Sequence, residues 1–183
     1  MAVEIIKNAI PRSLCLAAEA AWPDPSWPYW HRYNGATANK FGSMDRGRIP
    51  PACVAALDAL ALAVVPHIGD SFIDYDLHAA GMHMMPPGGF LGRHLDAECH
   101  PIRGWRRTHS IVMSLGETFG GNLILEGIGK FAPEIGTAIV FETAGQWHEV
   151  TRVADDSAYR KTLALFAWDH GDCSGSTSAN FGK

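Results

Sequence analysis

The spacing of hydrophobic positions changes once along the chain, near residue 70. Ahead of that point, "AVEIIK" (2–7) has the look of a short strand. "PRSLCLAAEAAW" (11–22) is rich in helix-favouring alanine, with Pro11 suited to a first-turn position. In "PPACVAALDALALAVVPHIG" (50–69), Val54, Leu57, Leu60, Ala61 and Val64 recur three and four apart. That spacing predicts a second helix with one apolar face, ending before Pro66 and Gly69. Between the helices, "PDPSWPYWHRYNGATANKFGS" (23–43) is dense in proline, aromatic rings and turn formers, and predicts an ordered loop.

From residue 71 the pattern becomes a series of short β-like runs separated by Gly, Pro and polar turns. They are "SFIDYDLHAAGMHMM", "THSIVMSL", "GGNLILEG", "GTAIVFET", "WHEVTRV" and "YRKTLALFAW". Strands at short, regular spacing predict a sandwich or barrel. Two helices followed by such a run predict a β core with helices buttressing one face. The Gly- and Ser-rich tail, 169–183, is expected to fray. One domain, 1–183, is expected: support from 1–70, a barrel over 71–168, then the tail.

Composition narrows the function classes. A hydrophobic content of 47% suits one domain with a real core. A net charge of −4 gives no sign of a nucleic-acid or membrane binder. No stretch is apolar enough to span a bilayer, and the N-terminus lacks a signal-peptide layout, so a soluble, cytoplasmic protein is expected. Cys15, Cys53, Cys99 and Cys173 form no CxxC pair and show no disulfide spacing. They are expected to be thiols in a reducing compartment.

The candidate chemistry starts at "GRHLDAE" (92–98). On an extended backbone, residues two apart point the same way, so His94 and Asp96 can present an imidazole and a carboxylate to one point. That pair suits divalent iron, manganese or zinc, but two ligands hold a catalytic metal poorly. His148 is the natural third, 54 positions after His94 and far enough for four intervening strands. Two histidines and a carboxylate on one face of a metal form the facial triad of non-haem iron(II) oxygenases. Arg160 follows His148 by 12 positions and shares its period-two face with Thr162, Ala164 and Phe166. A cation turned inward on an apolar strand is costly unless an anion meets it.

With these pieces in order, the sequence resembles the iron(II)/2-oxoglutarate-dependent oxygenases, in their prolyl-4-hydroxylase-like branch. The similarity runs over roughly 72–168, through "GRHLDAE", "RTHSIVMSLGETFGGNLIL", "PEIGTAIVFET" and "WHEV…YRKTLALFAW". It implies a mainly β fold: a double-stranded β-helix, or jelly roll, with the N-terminal helices packed on one sheet. It implies Fe(II) bound by His94, Asp96 and His148, with 2-oxoglutarate and O2 as cosubstrates and ascorbate as a candidate auxiliary. The far carboxylate of 2-oxoglutarate would meet the Arg160 guanidinium, whose planar fork suits it. The reaction implied is hydroxylation of an unactivated C–H bond, coupled to decarboxylation of 2-oxoglutarate to succinate. The implied substrate is a prolyl-type peptide residue or a free amino acid.

The sequence departs from the family where tyrosines often assist the cosubstrate: those places hold Met84 and Ser114. Ser114 or Thr162 is the replacement expected there. Lys161 competes with Arg160 as the carboxylate partner. Glu98, His83, His100 and His109 are expected to stay out of the metal site, and Trp147 to pack in the core. Arg93, Arg103, Arg106 and Arg107 cluster around Trp105. They read either as a solvated loop face or as a substrate entrance for a nucleotide or nucleic acid. A cupin-like metalloprotein that does not use 2-oxoglutarate, and a non-catalytic barrel, are the competing readings.

Overall fold

The computed structural model describes residues 3–78 and 80–182; Ala2 of the expected first strand, Ala79 and Lys183 of the tail lie outside the described residues. Both expected helices form. The first, α1 (Arg12–Ala20), starts directly after Pro11. The second, α2 (Pro51–Val64), carries Pro51 in its first turn, where a missing N–H leaves no bond unmade. It buries Cys53, Ala56, Leu57, Leu60, Ala61 and Val64, the face that its three-and-four spacing defines.

Among the described residues, thirteen strands surround these helices: β1 (Val3–Ile6), β2 (His31–Asn34), β3 (Ala38–Ser43), β4 (Phe72–Ile73), β5 (Gly81–Met85), β6 (Phe90–Leu95), β7 (Arg106–Ser114), β8 (Leu123–Leu125), β9 (Gly129–Phe131), β10 (Ala138–Glu142), β11 (His148–Val150), β12 (Arg160–Asp169) and β13 (Asn180–Phe181). They make one curled antiparallel sheet in the order β1-β10-β7-β12-β5-β3-β6-β11-β8-β9. At its margins β2 pairs with β3, β4 with β12 and β13 with β6. The fold is the mainly β, jelly-roll-like architecture expected from the run of short strands.

Alternation along β12 organises the molecule. Leu163 and Leu165 face the helices and join a core with Leu57, Leu60, Ile111 and Met113. Arg160, Thr162, Ala164 and Phe166, of opposite parity, line a cavity on the inner side of the sheet. A smaller apolar cluster, with Met85, Leu123, Leu125, Phe141 and Val150, lies inside the curl. Each fully buried Leu or Phe contributes about 1.5–3 kcal/mol, so the helix layer is what keeps the large sheet from exposing its outer face.

Three expectations need correction. The segment 23–43 is not only a loop: its second half is the hairpin β2–β3, and β3 sits inside the sheet between β5 and β6. Its strands read "HRYN" and "ANKFGS": β2 is exposed along its length and β3 mixes Asn39 and Lys40 with Phe41, so no apolar alternation marks them. The tail is not frayed. Asn180 and Phe181 pair with Leu95 and His94, and the N–H groups of Glu98 and Cys99 both donate to the Ser176 carbonyl. The cysteine reading holds for Cys15 and Cys53, which are buried thiols, and fails for Cys99 and Cys173, which form a disulfide. They are 74 positions apart, and only the folded tail brings them together.

The disulfide closes a long loop and pins the tail across β6. Cys173→Ser is expected to lower stability by about 2–4 kcal/mol and to open the tail to proteolysis. Thermal melts with and without reductant check this: reductant should lower the parent's melting temperature and leave the variant's unchanged.

Candidate metal centre and cosubstrate pocket

The HxD pair sits where β6 runs out. His94 is its penultimate residue and Asp96 lies one residue past its end, both still extended enough to point the same way. His94 Nε2 and Asp96 Oδ1 are 3.5 Å apart. Across the ladder, β11 places His148 directly opposite His94. His148 Nε2 lies 3.7 Å from Asp96 Oδ2, and the two imidazole centroids are 4.1 Å apart. One ligand atom from each of the three residues falls within 4.8 Å of the others. Four strands, β7 to β10, intervene in sequence.

The donor set fits a divalent metal. His94 Nδ1 lies 2.9 Å from the Gly92 carbonyl, and His148 Nδ1 lies 3.0 Å from the Gln146 carbonyl. A carbonyl can only accept, so each Nδ1 carries the proton and each Nε2 offers a lone pair to the shared point. Ser110 Oγ donates to Asp96 Oδ2 at 2.6 Å and sits 3.2 Å from Thr143 Oγ1. Burial would raise the Asp96 pKa. The neighbouring His94 and His148 rings and the Arg107 guanidinium outweigh it and hold the carboxyl well below its usual range. Burial pushes His148 down, against the pull of Asp96, which favours its neutral, metal-binding form.

Beneath the three heads lies a cavity of about 500 Å³. Arg160 lines it, 4% exposed, and its Nε donates to the Gly121 carbonyl at 2.7 Å. Gly121 has φ +66°, and a Cβ there would stand 2.7 Å from Arg160 Cδ, so this Gly-Gly turn exists to let the arginine pass. Burial lowers the Arg160 pKa to about 10, which still leaves it a cation. Lys161 points to the other face and meets Glu19 at 3.5 Å, so it leaves the cavity to Arg160. Thr162 also lines the cavity, its Oγ1 3.4 Å from the His83 carbonyl. Ser114 is buried opposite Thr162 but is not part of the lining.

Of the other candidates, Glu98 is exposed, His100 is buried against Asp74 at 3.2 Å, and His109 is half-buried beside Thr108. His83 lines the cavity but is not grouped with the three ligand heads. Trp147 does not pack in the core: it is half-buried under the Arg93 guanidinium, 3.8 Å from its ring centroid.

Two cavity cations escaped the sequence reading. Arg107 was grouped with a surface cluster, yet it is 4% exposed and its Nη1 lies 3.5 Å from Asp96 Oδ2. The guanidinium also stacks on Phe166, 3.6 Å from its centroid, and its Nε has no hydrogen-bond partner among the described residues. A register shift inserts Thr108 between the residues opposite Trp168 and Ala167, turning Arg107 to the same side as Ser110 and Val112. Period two cannot foresee such a bulge. Lys40 on β3 is the second. Its polar hairpin carries no strand signal, so no face could be assigned to it.

The tail forms part of the cavity wall. Thr177, Ser178, Ala179 and Phe181 line it, and the Phe181 ring stacks on His94 at 5.3 Å. The three other clustered arginines face solvent and are each paired: Arg93 with Glu126, Arg103 with Asp76 and Arg106 with Asp169.

Residues 80–168 match the family model described as the 2OG-Fe(II) oxygenase superfamily. A prolyl-4-hydroxylase from Pseudomonas putida superposes with a TM-score of 0.67 at 25% identity, covering 92% of this chain and 93% of that one. A Burkholderia pseudomallei oxidoreductase of the 2OG-Fe(II) oxygenase family gives 0.65 at 22%, covering 96% and 88%. A Trichoplax adhaerens prolyl hydroxylase, in complex with a hypoxia inducible factor oxygen degradation domain peptide, gives 0.65 at 18%, covering 91% and 83%. The latter two speak for the fold. No curated protein matches the chain at a significant level. Among the described residues, no helix is long and apolar enough to cross a membrane. Residues 80–168 are thus similar to the 2OG-Fe(II) oxygenase superfamily, and the prolyl-4-hydroxylase-like fold with its His94, Asp96 and His148 group supports a dioxygenase-type hydroxylase that uses Fe(II) and 2-oxoglutarate.

Proposed function

We propose that the protein hydroxylates an unactivated C–H bond of a prolyl-type peptide residue or a free amino acid, with decarboxylation of 2-oxoglutarate to succinate. The observation that carries this reading is the Arg160 fork, open in the same cavity over which His94, Asp96 and His148 converge. In it those three residues hold Fe(II), and Arg160 receives the far carboxylate of 2-oxoglutarate. The iron, when bound, supplies the oxidising chemistry.

The chain's own residues prepare that chemistry. The two backbone carbonyls at Gly92 and Gln146 fix both imidazole tautomers, so no proton must leave before the metal binds. Ser110 and Arg107 hold Asp96 Oδ2, which steadies the carboxylate. The Gly121 carbonyl anchors the Arg160 Nε and leaves the terminal nitrogens for a bidentate partner. Leu123, Phe141 and Val150 line the cavity with apolar surface that keeps water away from these charges.

A cupin-like site without 2-oxoglutarate gives the buried Arg160 no partner, so the same guanidinium argues against it. The nucleotide or nucleic-acid reading loses its main support, because Arg93, Arg103 and Arg106 already meet carboxylates. The peptide reading draws on the Trichoplax relative, which carries a bound peptide. The expected cytoplasmic location leans in part on four free thiols, and the Cys99–Cys173 disulfide weighs against it.

The test is turnover. Protein purified without oxygen, then given Fe(II), 2-oxoglutarate and O2, is expected to release succinate slowly by itself and faster with a prolyl peptide or amino acid. Absence of succinate from the metal-loaded protein, with every candidate substrate, would overturn the reading.

A further inference from the structure

Three cationic side chains enter the cavity against one acid. Lys40, Arg107 and Arg160 line it, and Asp96 is the sole carboxylate among the described lining residues. Arg160 has a proposed partner in 2-oxoglutarate, and Arg107 leans on Asp96. Lys40 has neither. Its ammonium makes no hydrogen bond or ion pair among the described residues, and the Tyr33 ring is its recorded neighbour, 5.3 Å from centroid to Nζ.

Its place in the sheet puts it near the chemistry. Arg160 is registered with Met85 on β5, and Phe41 with Met84, so Lys40 and Arg160 flank Met85 across three adjacent strands. Adjacent strands lie about 4.8 Å apart, so both heads reach one space. Burial there lowers the Lys40 pKa to about 8; the Asp96 carboxylate opposes that shift and Arg160 adds to it.

Loading the site does not remove the excess charge. A divalent metal and a 2-oxoglutarate dianion cancel each other. The three cations and the Asp96 carboxylate then leave two positive charges in surplus, in a cavity where an unmatched charge is expensive. Thr177, Ser178, Ala179 and Phe181 of the tail wall the same cavity as Lys40 and the three ligand heads, so a substrate bound there brings its charged group and its reacting carbon into one space. A compact ammonium is a point charge that suits a carboxylate without demanding two-point geometry.

We propose that the prime substrate carries a carboxylate close to the carbon that is hydroxylated, and that Lys40 holds this carboxylate, with Arg107 adding charge of the same sign beside the metal ligands. The proposal rests on the reading above, in which Arg160 takes 2-oxoglutarate. It makes Lys40 the residue that selects acids over their amides. The carboxylate can be the α-carboxylate of a free amino acid or the side chain of an acidic residue in a peptide.

Matched acids and amides test it on Mn(II)-loaded protein without oxygen. Calorimetry first measures 2-oxoglutarate binding. It then measures, on the loaded complex, L-proline against L-prolinamide and N-acetyl-Asp-Pro-amide against N-acetyl-Asn-Pro-amide. One acid is expected to bind at least ten-fold tighter than its amide, and the winning pair names the source of the carboxylate. Lys40→Met and Lys40→Gln should shrink that ratio below about three-fold, Lys40→Arg should keep most of it, and 2-oxoglutarate affinity should stay within three-fold in all. Thermal melts confirm folding, and the two neutral variants guard against loss of one. No 2-oxoglutarate binding by the parent would overturn the cosubstrate reading and this proposal together. Normal 2-oxoglutarate binding without acid preference, or a preference that survives in both neutral variants, would overturn this proposal alone. So would neutral variants that lose 2-oxoglutarate as strongly as the acids, since Lys40 would then serve the cosubstrate.

Discussion

Asp96→Ala is expected to abolish metal binding and, with it, succinate release. Asp96 is the one acid among the described lining residues, so its loss leaves the two ligand imidazoles and three cations to face a divalent ion. Groups that merely orient a ligand are worth about 10–100-fold in metal affinity, and removing the ligand itself should exceed that. Titration with Mn(II) reads the loss directly, without turnover. The same variant strips the buried Arg107 of its partner, which should cost about 3–5 kcal/mol of stability. His148→Ala separates the two effects. It should lose the metal as severely while Asp96 and Arg107 stay paired. Retained stoichiometric Mn(II) in either variant would mean that the ligand assignment is wrong.

The second large effect belongs to Arg160→Ala. Removing one partner of a buried, hydrogen-bonded charge pair costs about 2–5 kcal/mol, which is roughly 30- to several-thousand-fold in the Kd for 2-oxoglutarate. Metal affinity should barely change, because among the described residues no hydrogen bond or ion pair joins Arg160 to the three ligand residues; its Nε is held by the Gly121 carbonyl. Arg160→Lys should restore only part of the affinity, since an ammonium cannot reproduce the fork. Lys161 cannot rescue either variant, because it points to the opposite face and meets Glu19. Calorimetry on Mn(II)-loaded protein gives both numbers, and unaltered 2-oxoglutarate binding by Arg160→Ala would remove the cosubstrate assignment.

The two predictions draw on residues that could be read along the chain. His94 and Asp96 share a side because an extended backbone repeats every two residues, and the 3.5 Å between their heads agrees with that. The same period separates Arg160 from Lys161 on β12. His148 was harder: its spacing allowed a return to the site, but only the β11–β6 ladder aligns it with His94. The helices were legible because three-and-four spacing is local and the buried face of α2 follows it.

What the sequence by itself determined is therefore whatever a short-range period can encode: two helices, a succession of strands, the HxD pair and the inward face of Arg160. The tertiary structure alone decided the rest. A single inserted residue, Thr108, turned Arg107 into the cavity, and a strand without apolar alternation delivered Lys40 to it. Tail residues far from the HxD pair in sequence came back to cap it through Phe181 and the Cys99–Cys173 bond. Backbone periodicity fixes which way a side chain points within its own strand; which charges then meet, and whether they are matched, depends on strands that become neighbours only when the sheet curls.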